Sequence, residues 1–232
     1  MQGQLRLPRL TGFVRKLIIT LFAAYVIELI LRLQGVDLAP WLALQPGGPG
    51  VWQVATYVIV QGHSPPLWFL FGLLILWWVV SPFEVGFGAR RTAQLCGVCT
   101  LGAGAVAYLA GFVIQPLPAY AGSGSLWLGA IMATTYLRRD QELSLFGAFS
   151  LTGRQLMFGL IALVVLNFLF DRNLTHFLAD AGAMAAGVGF IRWLRRPRSP
   201  ARTPKRPRSK DRGLRVIKGG MSEDDEPPTW LN

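Results

Sequence analysis

LTHFLADAGAMAAGVGFIRW, residues 174–193, is an apolar run about as long as a bilayer-crossing helix, and a single carboxylate, Asp180, lies inside it. At helical spacing Asp180, Ala183 and Gly187 share one stripe, with His176 a turn earlier on the same side. A stripe of small residues lets a second helix backbone come close, and an ionisable group at membrane depth is a functional-site hypothesis by default. The plainer reading is a carboxyl that is protonated, or hydrogen-bonded to a hydroxyl across a helix contact, and only holds the bundle together.

The rest of the chain supports membrane embedding. Over 232 residues it is 52% hydrophobic and only 15% charged, with a mean hydropathy of +0.41, too apolar for an ordinary soluble domain despite a net charge of +11. Six apolar segments can be drawn: 17–33, 67–80, 92–114, 124–137, 156–170 and 174–193. Several fall short of the ~20 residues of a simple span. The second is therefore extended through Ser81 and Pro82, and the fourth is allowed to begin inside the protein, where irregular backbone is tolerated away from lipid. Five or seven spans remain alternatives.

Under a six-span arrangement the basic residues fall on one side. Arg6, Arg9, Arg15 and Lys16 precede the first segment, Arg90 and Arg91 follow the second, Arg138 and Arg139 follow the fourth, and a basic tail follows the sixth. The opposite connections, 34–66, 115–123 and 171–173, carry only Asp37, Asp171 and Arg172 as charges. Both termini are thus expected in the cytoplasm. The first segment reads as a retained span rather than a secretory signal, because Glu28 and Arg32 interrupt its far end and no small-x-small cleavage pattern follows. Those two residues stand at i,i+4 and are expected to pair near the outer interface as a structural contact.

The cysteines, Cys96 and Cys99, form a lone CxxC within the third segment. Zinc needs two further ligands and the redox motif belongs to a soluble fold, so small packing residues are the expectation, with no metal or cofactor. From Arg195 the stretch to Gly220 carries eleven Lys and Arg and four Pro, followed by the acidic run 223–226. Such a tail is expected to be disordered and to bind anionic lipid, at ~1 kcal/mol per basic residue near the surface. Without interleaved aromatics it is not expected to bind nucleic acid. The closing residues 227–232, PPTWLN, have the form of a short docking peptide.

Three passages, in order, resemble the rhomboid family of intramembrane serine proteases: LALQPGGPGVWQVATYVIVQG at 42–62, AGSGSLWLGA at 121–130 and HFLADAGAMAAG at 176–187. The first is similar to the family's loop one, with Trp52, Gln53, Thr56, Tyr57 and Gly62 matching and Gln61 standing at a His position. Aligned further, Trp68 and Gly72 occupy the positions of the His and Asn that help build the oxyanion site; Gly72 has no side chain, and Trp68 offers one indole donor. The second resembles the GxSG motif, which makes Ser123 the nucleophile position, with Ala121 replacing the first Gly. Ser125 is a competing register, since Gly129 follows it by four residues in a packing pair. The third places Asp180 where the family has its catalytic His, with Gly182, Ala183 and Gly187 in the small-residue frame that follows.

A serine hydroxyl needs a neighbouring base that takes its proton and later returns it. An ionised carboxylate is a weak base toward an alcohol, and loss of oxyanion donors costs of order 10²-fold per donor. The resemblance therefore implies a six-transmembrane-helix, all-α rhomboid-like bundle with a degenerate site. It would be a pseudoprotease that, like derlins, binds transmembrane segments of client proteins. Two alternatives stay open. One is an active intramembrane serine endopeptidase in which His176, four residues before Asp180, serves Ser123 as base, although Phe177 and Leu178 follow where the family needs small residues; His63 is a weaker candidate base. The other is a small transporter or channel with Asp180 as a proton or ion site. An aspartyl protease is excluded, since no second Asp lies within a span. The expected organisation is a cytoplasmic segment 1–16, a membrane domain 17–194 and a cytoplasmic tail 195–232, in a bacterial inner (plasma) membrane.

Overall fold

Apolar runs of this length satisfy their backbone groups in lipid only as helices or closed barrels, and here they form helices. A computed structural model describes residues 10–62, 65–114, 116–145 and 149–196. His63, Arg6, Arg9 and the tail from residue 197 lie outside them. In chain order the elements are α1 (Gly12–Leu33), α2 (Ala39–Leu42), α3 (Gln53–Thr56), α4 (Pro66–Phe87), α5 (Ala89–Ala110), α6 (Gly124–Leu137), β1 (Glu142–Leu145), β2 (Phe149–Thr152), α7 (Gly153–Asp171) and α8 (Leu174–Leu194).

Four helices, α4, α5, α7 and α8, are long and apolar enough to cross a membrane, so the chain is a mostly helical, membrane-embedded protein. α1 is as long as α4 and α5, at 22 residues, but carries Arg15, Lys16, Glu28 and Arg32. α6 has 14 residues, about 21 Å at 1.5 Å per residue, and is too short to cross ~30 Å of hydrocarbon by itself.

α6 has the bounds expected of the fourth apolar segment, and α8 extends the sixth by one residue. The second segment runs further than expected, to Phe87, with Pro82 accommodated inside α4. Its continuation presents Glu84, which no local sequence pattern singles out. The Glu84 carboxylate accepts from the Phe13 and Val14 N–H groups at 2.9 and 3.0 Å and from the Thr11 hydroxyl, so a side chain of α4 caps the first turn of α1. Gly88, at φ +83°, alone links α4 to α5, a left-handed conformation that a side chain would strain. The β1–β2 hairpin, paired Glu142↔Thr152 through Leu145↔Phe149, departs from the expected all-helical pattern. It joins α6 to α7, whose start is fixed by a reciprocal capping box between Thr152 and Gln155.

Contacts among the basic residues gather the ends of α6, α7 and α8. Arg192 donates to the Tyr136 hydroxyl at 3.1 Å, Arg195 to the Leu137 carbonyl, and Arg139 and Arg192 both lie over the Tyr136 ring. Arg154 hydrogen-bonds Asp140 at 2.7 Å and, with Arg139, holds that exposed carboxyl below its ordinary range.

The centre of the bundle is the small-residue face of α8, seated between α5 and α6. A Cβ at Gly182 would stand 2.7 Å from the Gly102 carbonyl of α5, and one at Gly187 would stand 2.6 Å from the Gly129 carbonyl of α6. Across the same seam a Cβ at Gly129 would meet the Ala183 carbonyl and Cys99 Sγ, each at 2.9 Å. Cys96 and Cys99 are buried free thiols inside this packing. Around it, Leu73, Leu76, Val80, Leu95, Phe190 and Ile191 belong to the largest apolar cluster.

Gly→Ala inside a helix ordinarily gains up to about 1 kcal/mol from propensity. At Gly187 the sign should invert, to a loss of about 1–3 kcal/mol from overpacking. At Gly159, whose Cβ would meet nothing within 4 Å, the ordinary small gain is expected. Thermal unfolding of the two variants in detergent checks the contrast, and a raised midpoint for Gly187→Ala would refute the seam.

Candidate functional site

The end of the bundle opposite the basic cluster is built around the start of α6. The connection from α1 to α4 folds back onto the helices rather than standing off them. Leu44 and Tyr120 exchange N–H···O bonds of 2.8 Å in both directions, and the Tyr108 hydroxyl donates to the Gly48 carbonyl at 2.7 Å. The Gly122 N–H donates to the Tyr57 carbonyl at 3.0 Å, and Gly122 itself sits at φ +122°, so the chain turns sharply just before Ser123.

Ser123 is the N-cap residue of α6. Both its N–H, at 3.3 Å, and its hydroxyl, at 3.4 Å, donate to Oε1 of Gln61. The hydroxyl contact is long beside the usual 2.5–3.0 Å or so, and therefore weak. Gln61 is itself held. Its backbone N–H donates to Glu28 Oε2 at 2.8 Å, Glu28 Oε1 pairs with Arg32 at 2.6 Å, and Arg32 also donates to the Gly62 carbonyl at 2.6 Å. The expected i,i+4 pair on α1 thus exists, and it anchors the loop that carries Gln61 to Ser123. Glu28 is buried, and a buried carboxylate with an ionic partner and a backbone donor is well satisfied.

Ser125 is fully buried one residue inside the helix. The Tyr57 hydroxyl donates its one proton to the Thr100 carbonyl at 3.0 Å, so in the 3.1 Å contact between Tyr57 and Ser125 the serine is the donor. The Ser125 N–H donates to the Tyr120 hydroxyl at 3.2 Å. Ser125 is therefore a pinned core hydroxyl facing a phenol, which is no base.

On α8, Asn173 caps the helix by accepting from the His176 N–H at 3.1 Å. The His176 ring stands edge-on to Tyr120, with centroids 4.6 Å apart at 90°. Asp180 is 6% exposed, and among the described residues its carboxyl has no hydrogen-bond partner. It is near enough to Tyr57 and Tyr120 for its charge to act on both hydroxyls. His176 and Asp180 both line a narrow cleft between α7 and α8, together with Asn167, Asp171, Asn173 and Phe177.

The helices thus bring Ser123, Ser125, His176 and Asp180 to one end of the bundle without joining them. Neither serine bonds to Asp180 or His176. The anticipated carboxyl–hydroxyl bond across the α6–α8 contact is not made, because Gln61 takes the Ser123 hydroxyl and Tyr57 takes that of Ser125. The two positions considered for an oxyanion site supply no donor there. Trp68 is 69% exposed, and the space beside Gly72 is faced by the Trp127 indole, with Nε1 3.7 Å from where a Cβ would stand. No motif in the sequence singles out Trp127, although it follows Ser123 by one helical turn.

Neither a family model nor a curated protein matches the chain. The site must therefore be judged on its geometry. Among the described residues it offers two serines without a base, a carboxyl without a hydrogen-bond partner and a histidine packed on an aromatic ring.

Glu28→Gln should lower stability by about 2 kcal/mol, less than for a fully enclosed ion pair because Arg32 remains about one-third exposed. It should also loosen the loop at Gln61. Thermal unfolding, with hydrogen exchange over residues 58–62, checks both. Unchanged exchange there would dissociate the ion pair from the loop.

Proposed function

We propose that the protein is a rhomboid-like, six-span membrane protein whose catalytic constellation has decayed, and that it binds transmembrane segments of client proteins without cutting them. The observation that carries this reading is the fate of the two serine protons. One is directed to a glutamine carbonyl and the other to a tyrosine oxygen, and neither group removes a proton from an alcohol near neutral pH. The element order supports it too. A long first helix, a folded-back connection and a short helix opening at Ser123 are followed by a last helix with a small-residue face, as the resemblance implies.

In this reading α1, α4, α5, α6, α7 and α8 are the six spans, with α6 shielded from lipid by its neighbours. The arginines at the ends of α6 and α8 face the cytoplasm together with both termini, following the positive-inside bias. The membrane is the bacterial inner (plasma) membrane, and the basic tail engages its anionic lipids.

The test is a fluorophosphonate or isocoumarin serine-hydrolase probe applied in liposomes to the wild type, Ser123→Ala, Ser125→Ala and His176→Ala. No labelling of any of them is expected, while an active rhomboid reacts in parallel. Wild-type labelling lost in both Ser123→Ala and His176→Ala would establish an activated serine with His176 as base and overturn the proposal.

A further inference from the structure

α5 and α8 are in close contact where Gly102 meets Gly182, and toward the basic end of the bundle a groove of about 440 Å³ opens between them. Gln94 and Val98 form its α5 wall, and Ala186, Gly189, Phe190 and Trp193 its α8 wall. The two helices therefore run antiparallel, with the first turn of α5 beside the last turn of α8. Gly189 keeps the groove open: a Cβ there would meet nothing within 4 Å, whereas one at Gly187 would stand 2.6 Å from a carbonyl of α6. The small residues of the seam are used for packing within the chain, and Gly189 is not.

Size and surroundings indicate the occupant. Both helices are long and apolar enough to cross a membrane, and Gln94 is the one polar side chain lining the groove. From Ala186 to Trp193 the groove runs about 10 Å along the helix axis, and a second helix about 10 Å across would displace roughly 800 Å³ over that length. The volume of about 440 Å³ suits a slimmer guest, an extended hydrocarbon chain. Trp193, 56% exposed at the end of α8, has the place of an interfacial aromatic at head-group level.

Charge indicates the head group. Arg90 and Arg91, in the first turn of α5, precede Gln94 by four and three residues and continue its stripe to the helix end. Arg196 follows Trp193 by three residues on the other wall. All three are exposed, and among the described residues none is in an ion pair. The first turn of α5 holds no acidic residue, and the positive end of its dipole adds to the same field. Basic pockets between membrane helices favour anionic lipid head groups. One turn inside the arginines, the Gln94 amide stands where it can donate to a glycerol-ester carbonyl.

We infer that the α5–α8 groove is a binding site for one anionic phospholipid, with an acyl chain along Val98, Ala186 and Gly189 and the phosphate held by Arg90 and Arg91. The site belongs to the helical bundle, is separate from the basic tail, and does not depend on the client-binding reading.

The full chain is reconstituted in phosphatidylcholine liposomes containing a trace of a phospholipid probe with a mid-chain diazirine, photolysed, and mapped by peptide mass spectrometry. The probe is phosphatidylglycerol in one sample and phosphatidylcholine with the same chains in the other. Labelling of the groove residues by the anionic probe should exceed that by the zwitterionic one by about tenfold, the scale of two basic residues near an anionic head group. The excess should fall to parity in Arg90→Gln/Arg91→Gln, which leaves the tail intact, and Gly189→Leu should remove groove labelling by both probes. Equal labelling of the groove by the two probes in the wild type would show ordinary boundary lipid and overturn the inference, with no variant required to fold. A preference unchanged in the double arginine variant would place the head group elsewhere, on the tail or the other arginines, and overturn it too. A groove that neither probe labels, while lipid-facing residues of α7 are labelled, would mean that protein covers it and would also overturn the inference.

Discussion

The close approach of α8 to α5 and α6 is the constraint on which the rest depends. Three backbones can meet at Gly102, Gly129, Gly182 and Gly187 because nothing projects from them, and the next residue along the α8 stripe beyond Ala183 and Gly187 is Asp180. Between helices in lipid there is no hydrophobic drive to association, so contact must come from van der Waals packing at short range. The seam supplies that contact, and it also fixes where the carboxyl sits: near Tyr57 and Tyr120 but bonded to neither.

Around this rigid centre the less ideal elements are held by polar clamps. α1 is the most charged of the long helices and is pinned at both ends by carboxylates, Glu84 at its first turn and its own Glu28 with Arg32 at its last. The second clamp reaches the candidate site directly, since Glu28 and Arg32 hold the Gln61–Gly62 backbone and the Gln61 side chain holds Ser123. Each of these groups is spent on structure. A catalytic serine site uses the same kinds of contact differently: the hydroxyl faces a base, and free donors face the developing oxyanion. Here the hydroxyls face acceptors that do not return protons, and the donors serve backbone carbonyls and caps.

Much of this was legible in the sequence where a local pattern carries the physics. The run 124–137 and the stripe through Ala183 and Gly187 follow from apolar length and helical spacing, and the Glu28–Arg32 pair follows from its i,i+4 separation. What escaped depends on distant partners. The passage of α4 through Pro82 to Phe87, and Glu84 as a cap for α1, require knowing that the two helix ends meet. The β1–β2 hairpin joins α6 to α7 through cross-strand pairing of Glu142–Leu145 with Phe149–Thr152, which no helical or apolar spacing in the sequence reports. The fates of the two serine protons turn on Gln61 and Tyr57, more than 60 positions away in sequence, and no spacing rule reports them.

The central proposal is that the serines, which meet no base among the described residues, belong to a scaffold that would receive membrane segments without hydrolysing them. The most direct measurement is mass spectrometry of a single-span reporter co-reconstituted with the purified protein in liposomes, with an active rhomboid as a parallel control. The account predicts an intact reporter after the control has cut its share. A cleavage product that appears with the wild type and disappears in Ser123→Ala would contradict it.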